Sequence, residues 1–167
     1  MTAAPPRSAT PDPSARERLA ILRRTRSVAI VGMSADRARP SHFVATYLTS
    51  SSTDYEVWFV NPRGGEILGR PVFASLDALP VVPDLVDVFR RVDDLPGVAD
   101  EAIALGASTL WFQLGLRHDA AAATARAAGL DVVQDRCLKI EHARFAGGLH
   151  LAGFDTGVID SRRTGPR

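Results

Sequence analysis

From residue 14 onward the apolar positions fall into short blocks that switch between two periods. Residues 27–32 (SVAIVG) are a near-continuous, β-branched apolar run, the pattern of a strand buried on both faces of a parallel sheet. Similar runs at 56–60, 84–89, 108–112 and 130–133 predict four more strands, the third interrupted by Asp87. Helical spacing fills the gaps. Ser14 and Glu17 stand at capping-box spacing before Leu19, Ile21 and Leu22, predicting a helix to residue 25. Ser41 is placed to cap a helix whose Phe43, Val44, Tyr47 and Leu48 form one face toward the sheet. Residues 95–105, capped by Asp93 or Asp94 and stopped by Gly106, form the next; an alanine-rich helix at 119–128 ends at Gly129, and 138–145 is the last. Asn61-Pro62 closes the second strand, and 71–73 and 75–79 read as a short strand and a helical turn. Strands alternating with helices predict right-handed βαβ crossovers, hence an α/β chain with a doubly wound, mainly parallel sheet of about five strands.

Composition narrows the class. With 167 residues, 46% hydrophobic and 23% charged, the chain reads as a single globular domain. A net charge of +1 gives no field to attract nucleic acid. Cys137, the single cysteine, excludes an internal disulfide, and no apolar run of about 18 residues is present to span a bilayer. Residues 1–13 hold four prolines and no large apolar side chain, which predicts a flexible tail rather than a secretory signal and places the protein in the cytoplasm. The division expected is a tail at 1–13, a domain at 14–146 and a glycine-rich extension at 147–167, the last a candidate contact for a partner or a second copy.

A Rossmann-like sheet binds ligands outside the carboxyl ends of its strands, where strand order reverses. The loops on that rim bring Arg37, Arg39, Arg63, Arg90, Arg91, Arg117, Arg136 and Lys139 to one edge. Guanidinium groups give forked bonds to phosphate, and the first crossover helix points its positive end and free amides there. The plain alternative is that these are solvated loop residues. Gly32-Met33-Ser34-Ala35-Asp36-Arg37 lacks the Gly-x-Gly-x-x-Gly dinucleotide fingerprint. Ser34 can instead offer a hydroxyl and an amide to phosphate, and Gly32 either admits a close ligand or merely makes a turn. Asn61-Pro62-Arg63 stands where an NAD site carries an acidic residue. Arginine there suits an extra ribose phosphate, leaving NADP and coenzyme A open.

The stretches VAIVGMS (28–34), RPSHFVATYL (39–48), VNPRG (60–64), DLVDVFRR (84–91), LWFQLGLR (110–117) and DRCLKIEH (135–142) resemble, in matching order, the small stand-alone CoA-binding proteins similar to the N-terminal domain of the succinyl-CoA synthetase α subunit. The resemblance implies coenzyme A lying across the strand ends. It implies Gly32, Ser34 and Arg39 facing the pyrophosphate, Asn61, Pro62 and Arg63 near the adenosine and its phosphate, and Met33, Pro40 and Cys137 among the cofactor-binding residues. Phe89 with Arg90, and Gln113 with Leu114, would line the next strand ends. It also implies a binding module, a carrier, sensor or regulatory partner of acyl-CoA metabolism. The phosphohistidine domain and nucleotide-binding subunit of the synthetase have no place in these residues.

Cys137 follows the last strand, near Arg136, Lys139 and His142, neighbours able to lower a thiol pKa. It reads as a nucleophile, as a partner for the CoA thiol in a mixed disulfide, or as a buried apolar filler. Cys137, His142 and His150 match no familiar metal spacing, and no catalytic residue is assigned. Lys139 and His142 share a helical face, with Glu141 pointing elsewhere, and an exposed polar face accounts for them. Asp84 and Asp87 lie on opposite faces of their strand, which excludes shared acid and base work. The other readings are a small NADP-dependent oxidoreductase and a ligand-free interaction subunit using its C-terminal extension.

Overall fold

The computed structural model describes residues 10–50 and 53–146, so the tail at 1–9 and the extension at 147–167 lie outside the described residues. Helix α1 (Ala15–Arg24) carries the expected reciprocal capping box: Ser14 Oγ accepts from the Glu17 N–H, and the Glu17 carboxylate accepts from the Ser14 N–H. Strand β1 (Ser27–Val31) follows and is buried at every position. The remaining order is α2 (Pro40–Leu48), β2 (Glu56–Val60), β3 (Glu66–Ile67), β4 (Arg70–Phe73), β5 (Leu85–Val88), α3 (Leu95–Leu105), β6 (Thr109–Phe112), α4 (Asp119–Ala127), β7 (Asp131–Val133) and α5 (Leu138–Ala146). A 3-10 turn at Leu76–Ala78 occupies the predicted helical turn, and a second at Val92–Asp94 leads into α3. Gly106 ends α3 in the left-handed region at φ 85.

The sheet has seven strands in the order β3-β4-β2-β1-β5-β6-β7, against about five expected. Every neighbouring pair is parallel except β3 with β4. β4 is the short strand expected at 71–73, and the unexpected β3 joins it in a hairpin closed by Leu68 (φ 52) and Gly69 (φ 69), both left-handed, as a two-residue turn of matching twist requires. Leucine in that region gives no turn signal in sequence.

Strand order reverses at β1, whose neighbours β2 and β5 receive the chain from crossovers on opposite sides. Two apolar slabs result, because alternate strand residues face opposite ways. Ala29, Val31, Val86, Val88, Leu110 and Phe112 pack against α3 and α4. Val28, Ile30, Leu85, Phe59 and Trp111 pack with residues of α1, α2 and α5.

Helix α2 departs from expectation. Pro40 enters its first turn, where a missing N–H costs nothing, so the cap falls at Arg39 and the helix starts two residues early. Ser41 is therefore no cap. Its hydroxyl accepts from the Ser34 N–H at 3.1 Å. The buried stripe is Ser41, Val44, Ala45 and Leu48, whereas Phe43 is 60% exposed, with the Lys139 ammonium over its ring. Helix α5 departs as well. Glu141 is fully buried and pairs with the buried Arg18 at 2.9 Å, and His142 is held by Tyr47 Oη at 2.9 Å and edged by the rings of Tyr47 and Tyr55. This is a packed polar seam rather than an exposed face. Residues 10–13 are also engaged: Asp12 pairs with Arg117 and Arg126, and Pro13 O accepts from Arg18.

Candidate functional site

The site grows from the point where β1 ends. The N–H groups of Gly32 and Met33 both donate to Val60 O of β2, while Phe89 N–H, beyond β5, donates to Val31 O. The chain leaving β1 is thus wedged between the ends of its two neighbours. Gly32 adopts φ +86, and a Cβ there would lie 2.2 Å from Phe89 O. Of its two readings, the turn is required by the protein's own backbone. Asn61 locks the second loop to the first: its Nδ2 donates to Met33 O at 2.8 Å and its Oδ1 accepts from Arg63 N–H at 2.9 Å.

The segment from Ser34 to Ser41 is organised by its own side chains. Asp36 N–H donates to Ser34 Oγ, Ala38 N–H to Asp36 Oδ1, and His42 Nδ1 lies 3.1 Å from Ser34 O. Two expectations change. The Ser34 amide, expected to face a phosphate, is spent on Ser41. The α2 terminus offers few free amides, since Pro40 has none and those of His42 and Phe43 turn back to Arg39 O. What remains at this end is the Ser34 hydroxyl hydrogen and the Arg39 guanidinium, 70% exposed and 3.8 Å from the Asp36 carboxylate.

A cleft of about 530 Å³ opens here, in the size range of small-molecule sites. Gly32, Ser34, Arg39, Pro40, Phe89, Gln113, Leu114 and Cys137 line it, as the sequence placed them. It also takes in Ser41, Val44, Leu116 and Ile140, which sequence reasoning missed. The signal for Val44 was the helical period itself, which assigns it to the face toward the sheet. Pro62 and Arg90 line instead a second cleft of about 390 Å³ on the other side of Gly32, walled by Asp93, Asp94 and Glu101. Met33 is fully buried in the α2 side of the core, and Arg63 is exposed and lines neither cleft.

The basic rim is partly neutralised. Arg90 and Arg91 share Asp94 at 3.3 and 3.6 Å, Arg117 pairs with Asp12 and Asp119, and Lys139 sits over the rings of Phe43 and Tyr47. The first cleft combines polar lining, Ser34 and Arg39 among it, with the apolar side chains of Phe89, Leu114, Leu116 and Ile140.

Beneath the floor lies Asp87, fully buried on β5 between Ile30 and Trp111 of the adjoining strands. Its Oδ1 accepts from Gln113 Nε2 at 2.6 Å, and its Oδ2 has no partner among the described residues. Burial pushes its carboxyl up to about 8, against the weaker pull of the Gln113 bond. The Cys137 thiol is pushed up as well, by burial first and by Asp87 in addition, the reverse of the activation its basic neighbours suggested. His142 is pushed down by burial. Among the described residues no cluster of histidine, cysteine and carboxylate side chains is arranged to hold a metal, and no helix is long and apolar enough to cross a membrane.

A single α/β domain with a mostly parallel sheet and a crevice at the reversal of strand order defines the class, a Rossmann-like domain. Comparison with known proteins narrows this. Residues 26–143 match the CoA binding domain family, and the chain belongs to it. It is 37% identical over 132 residues to the uncharacterized protein YneT of Bacillus subtilis, covering 79% of this chain and 96% of that one. A solved structure from Thermus thermophilus has 37% identity and a TM-score of 0.73 over 79% of this chain and 98% of its own. A hypothetical protein of Pyrococcus horikoshii aligns at 31% identity and a TM-score of 0.75, over 88% of this chain and the whole of its own.

Proposed function

We propose that the protein binds coenzyme A or an acyl-CoA in the cleft beside Gly32 and acts as a carrier, sensor or regulatory module rather than as a catalyst. The observation that carries this reading is the mixed lining of the cleft. Ser34 and Arg39 suit a pyrophosphate, and Leu114, Leu116 and Ile140 suit an extended, mostly apolar arm. That combination fits the chemistry of a CoA molecule, which joins a charged nucleotide to a pantetheine arm. Arg63, exposed on the loop that Asn61 fixes, is available to a ribose phosphate projecting past the first cleft. Titration calorimetry against coenzyme A, dephospho-CoA, NADP and NAD tests the assignment. The expected order is coenzyme A tightest, then dephospho-CoA, with both pyridine dinucleotides weak. A dissociation constant for coenzyme A above about 1 mM, worth only about 4 kcal/mol, overturns it.

A further inference from the structure

Asp87 has a role that its burial alone makes hard to explain as packing. It is fully buried in an apolar slab, one of its oxygens lacks any partner among the described residues, and its polar contact is with Gln113. A polar group in such a place costs free energy that a leucine of similar volume would avoid. What the carboxyl does is fix an amide. The Gln113 main chain is already held, its N–H donating to Val88 O at 3.4 Å and its C=O accepting from Leu116 N–H at 2.8 Å. The side-chain Nε2 is held by Asp87 at 2.6 Å. Gln113 is 4% exposed and lines the first cleft, so its Oε1, with no partner among the described residues, is the polar atom left to a ligand.

A glutamine without such an anchor presents either end of its amide; this one presents its acceptor. The cleft therefore asks for an N–H at that point and repels carboxylate or phosphate. We propose that Asp87 is a positioning residue for ligand recognition, turning Gln113 Oε1 toward the cleft to accept from an amide N–H of the pantetheine arm. This rests on the coenzyme A reading of the cleft. The other titratable group that senses Asp87 is the Cys137 thiol, which lines the same cleft.

The test compares coenzyme A with adenosine 3′,5′-bisphosphate, which lacks the arm, by calorimetry on wild type, Asp87→Leu, Asp87→Asn and Gln113→Leu. The 15N-resolved side-chain amide signals of Gln113 are recorded on the free wild-type and Asp87 variants. Asp87→Leu should weaken coenzyme A about tenfold, the worth of one oriented hydrogen bond, and leave adenosine 3′,5′-bisphosphate unchanged. Asp87→Asn, which keeps an acceptor for Nε2, should restore affinity to within about twofold. If Asp87→Leu does not fold, Gln113→Leu must show the same arm-specific loss. Equal weakening of both ligands, or no loss of coenzyme A affinity, overturns the proposal. If the wild type binds neither ligand, the coenzyme A reading fails by itself, and the Gln113 signals decide this one. They should move in Asp87→Leu and stay near their wild-type positions in Asp87→Asn; signals indifferent to Asp87 overturn it.

Discussion

The two faces of the sheet are built from the same strands and yet differ in kind. The face under α3 and α4 is packed by short and branched apolar side chains such as Ala29, Val86, Ala99, Leu110 and Ala122. The face under α1, α2 and α5 is also apolar, but it contains the fully buried carboxyls of Asp87 and Glu141, the buried Arg18 and the larger ligand cleft. One face is nearly all hydrocarbon, and the other gives part of its packing to polar groups. Buried polar pairs rarely add stability over well-packed hydrocarbon, so this second face is the less stably packed of the two.

The largest test of this contrast is the Arg18–Glu141 pair. Arg18→Ala should cost about 3–5 kcal/mol in denaturant unfolding, because it strands a buried carboxylate. Arg18→Met together with Glu141→Leu should recover most of that loss, and a double variant as weak as the single one would contradict the view that the pair is not a net stabiliser. The next effect is a pH slope. The Asp87 carboxyl stands at about 8 in the folded chain against 3.8 as its ordinary value, so the folded state keeps a proton that the unfolded state releases between those limits. Stability is fully present below about pH 4 on this account, falls as pH rises toward 8 by at most about 1.4 kcal/mol per unit, and levels above it. Unfolding of wild type and Asp87→Asn across pH 5 to 9 measures it, and the difference between them should shrink as pH falls. The smallest effect is kinetic. With its thiol pushed up by burial, Cys137 should react with iodoacetamide several times more slowly than free cysteine at about pH 8, and coenzyme A should slow it further. Alkylation faster than the free amino acid would return Cys137 to the reactive class.

Much of the first face was legible, and less of the second. Strands β1, β2, β5, β6 and β7 announced themselves as apolar runs, and Ser14 with Glu17, and Gly106, marked helix ends through chemistry local to a few residues. The rim loops that line the cleft followed from strand alternation alone. Much of what failed was long-range. Glu141 looked like a surface acid because its partner Arg18 lies 123 residues away in the chain. Asp87 looked like a flaw in a strand because Gln113 lies just beyond the end of the neighbouring strand. On the basic rim, the pairing of Arg117 with Asp12 is the long-range part, whereas Asp94 lies within four residues of Arg90 and Arg91. The face of α2 was locally ambiguous, since Phe43, Val44, Tyr47 and Leu48 fit a helical face as well as the buried Ser41, Val44, Ala45 and Leu48 do, and only packing on the sheet selects the second set.

The hairpin of β3 and β4 bears on how the molecule behaves in a crowd. A parallel sheet with a long bare margin invites strand-to-strand growth into aggregates. Here one margin ends in a two-residue strand carrying Glu66, backed by Pro71 of β4, which has no N–H to offer. The opposite margin is β7, three residues long, with Asp131 tied to Arg24. Among the described residues the border strands are two and three residues long, so neither offers another chain a long template for strand addition.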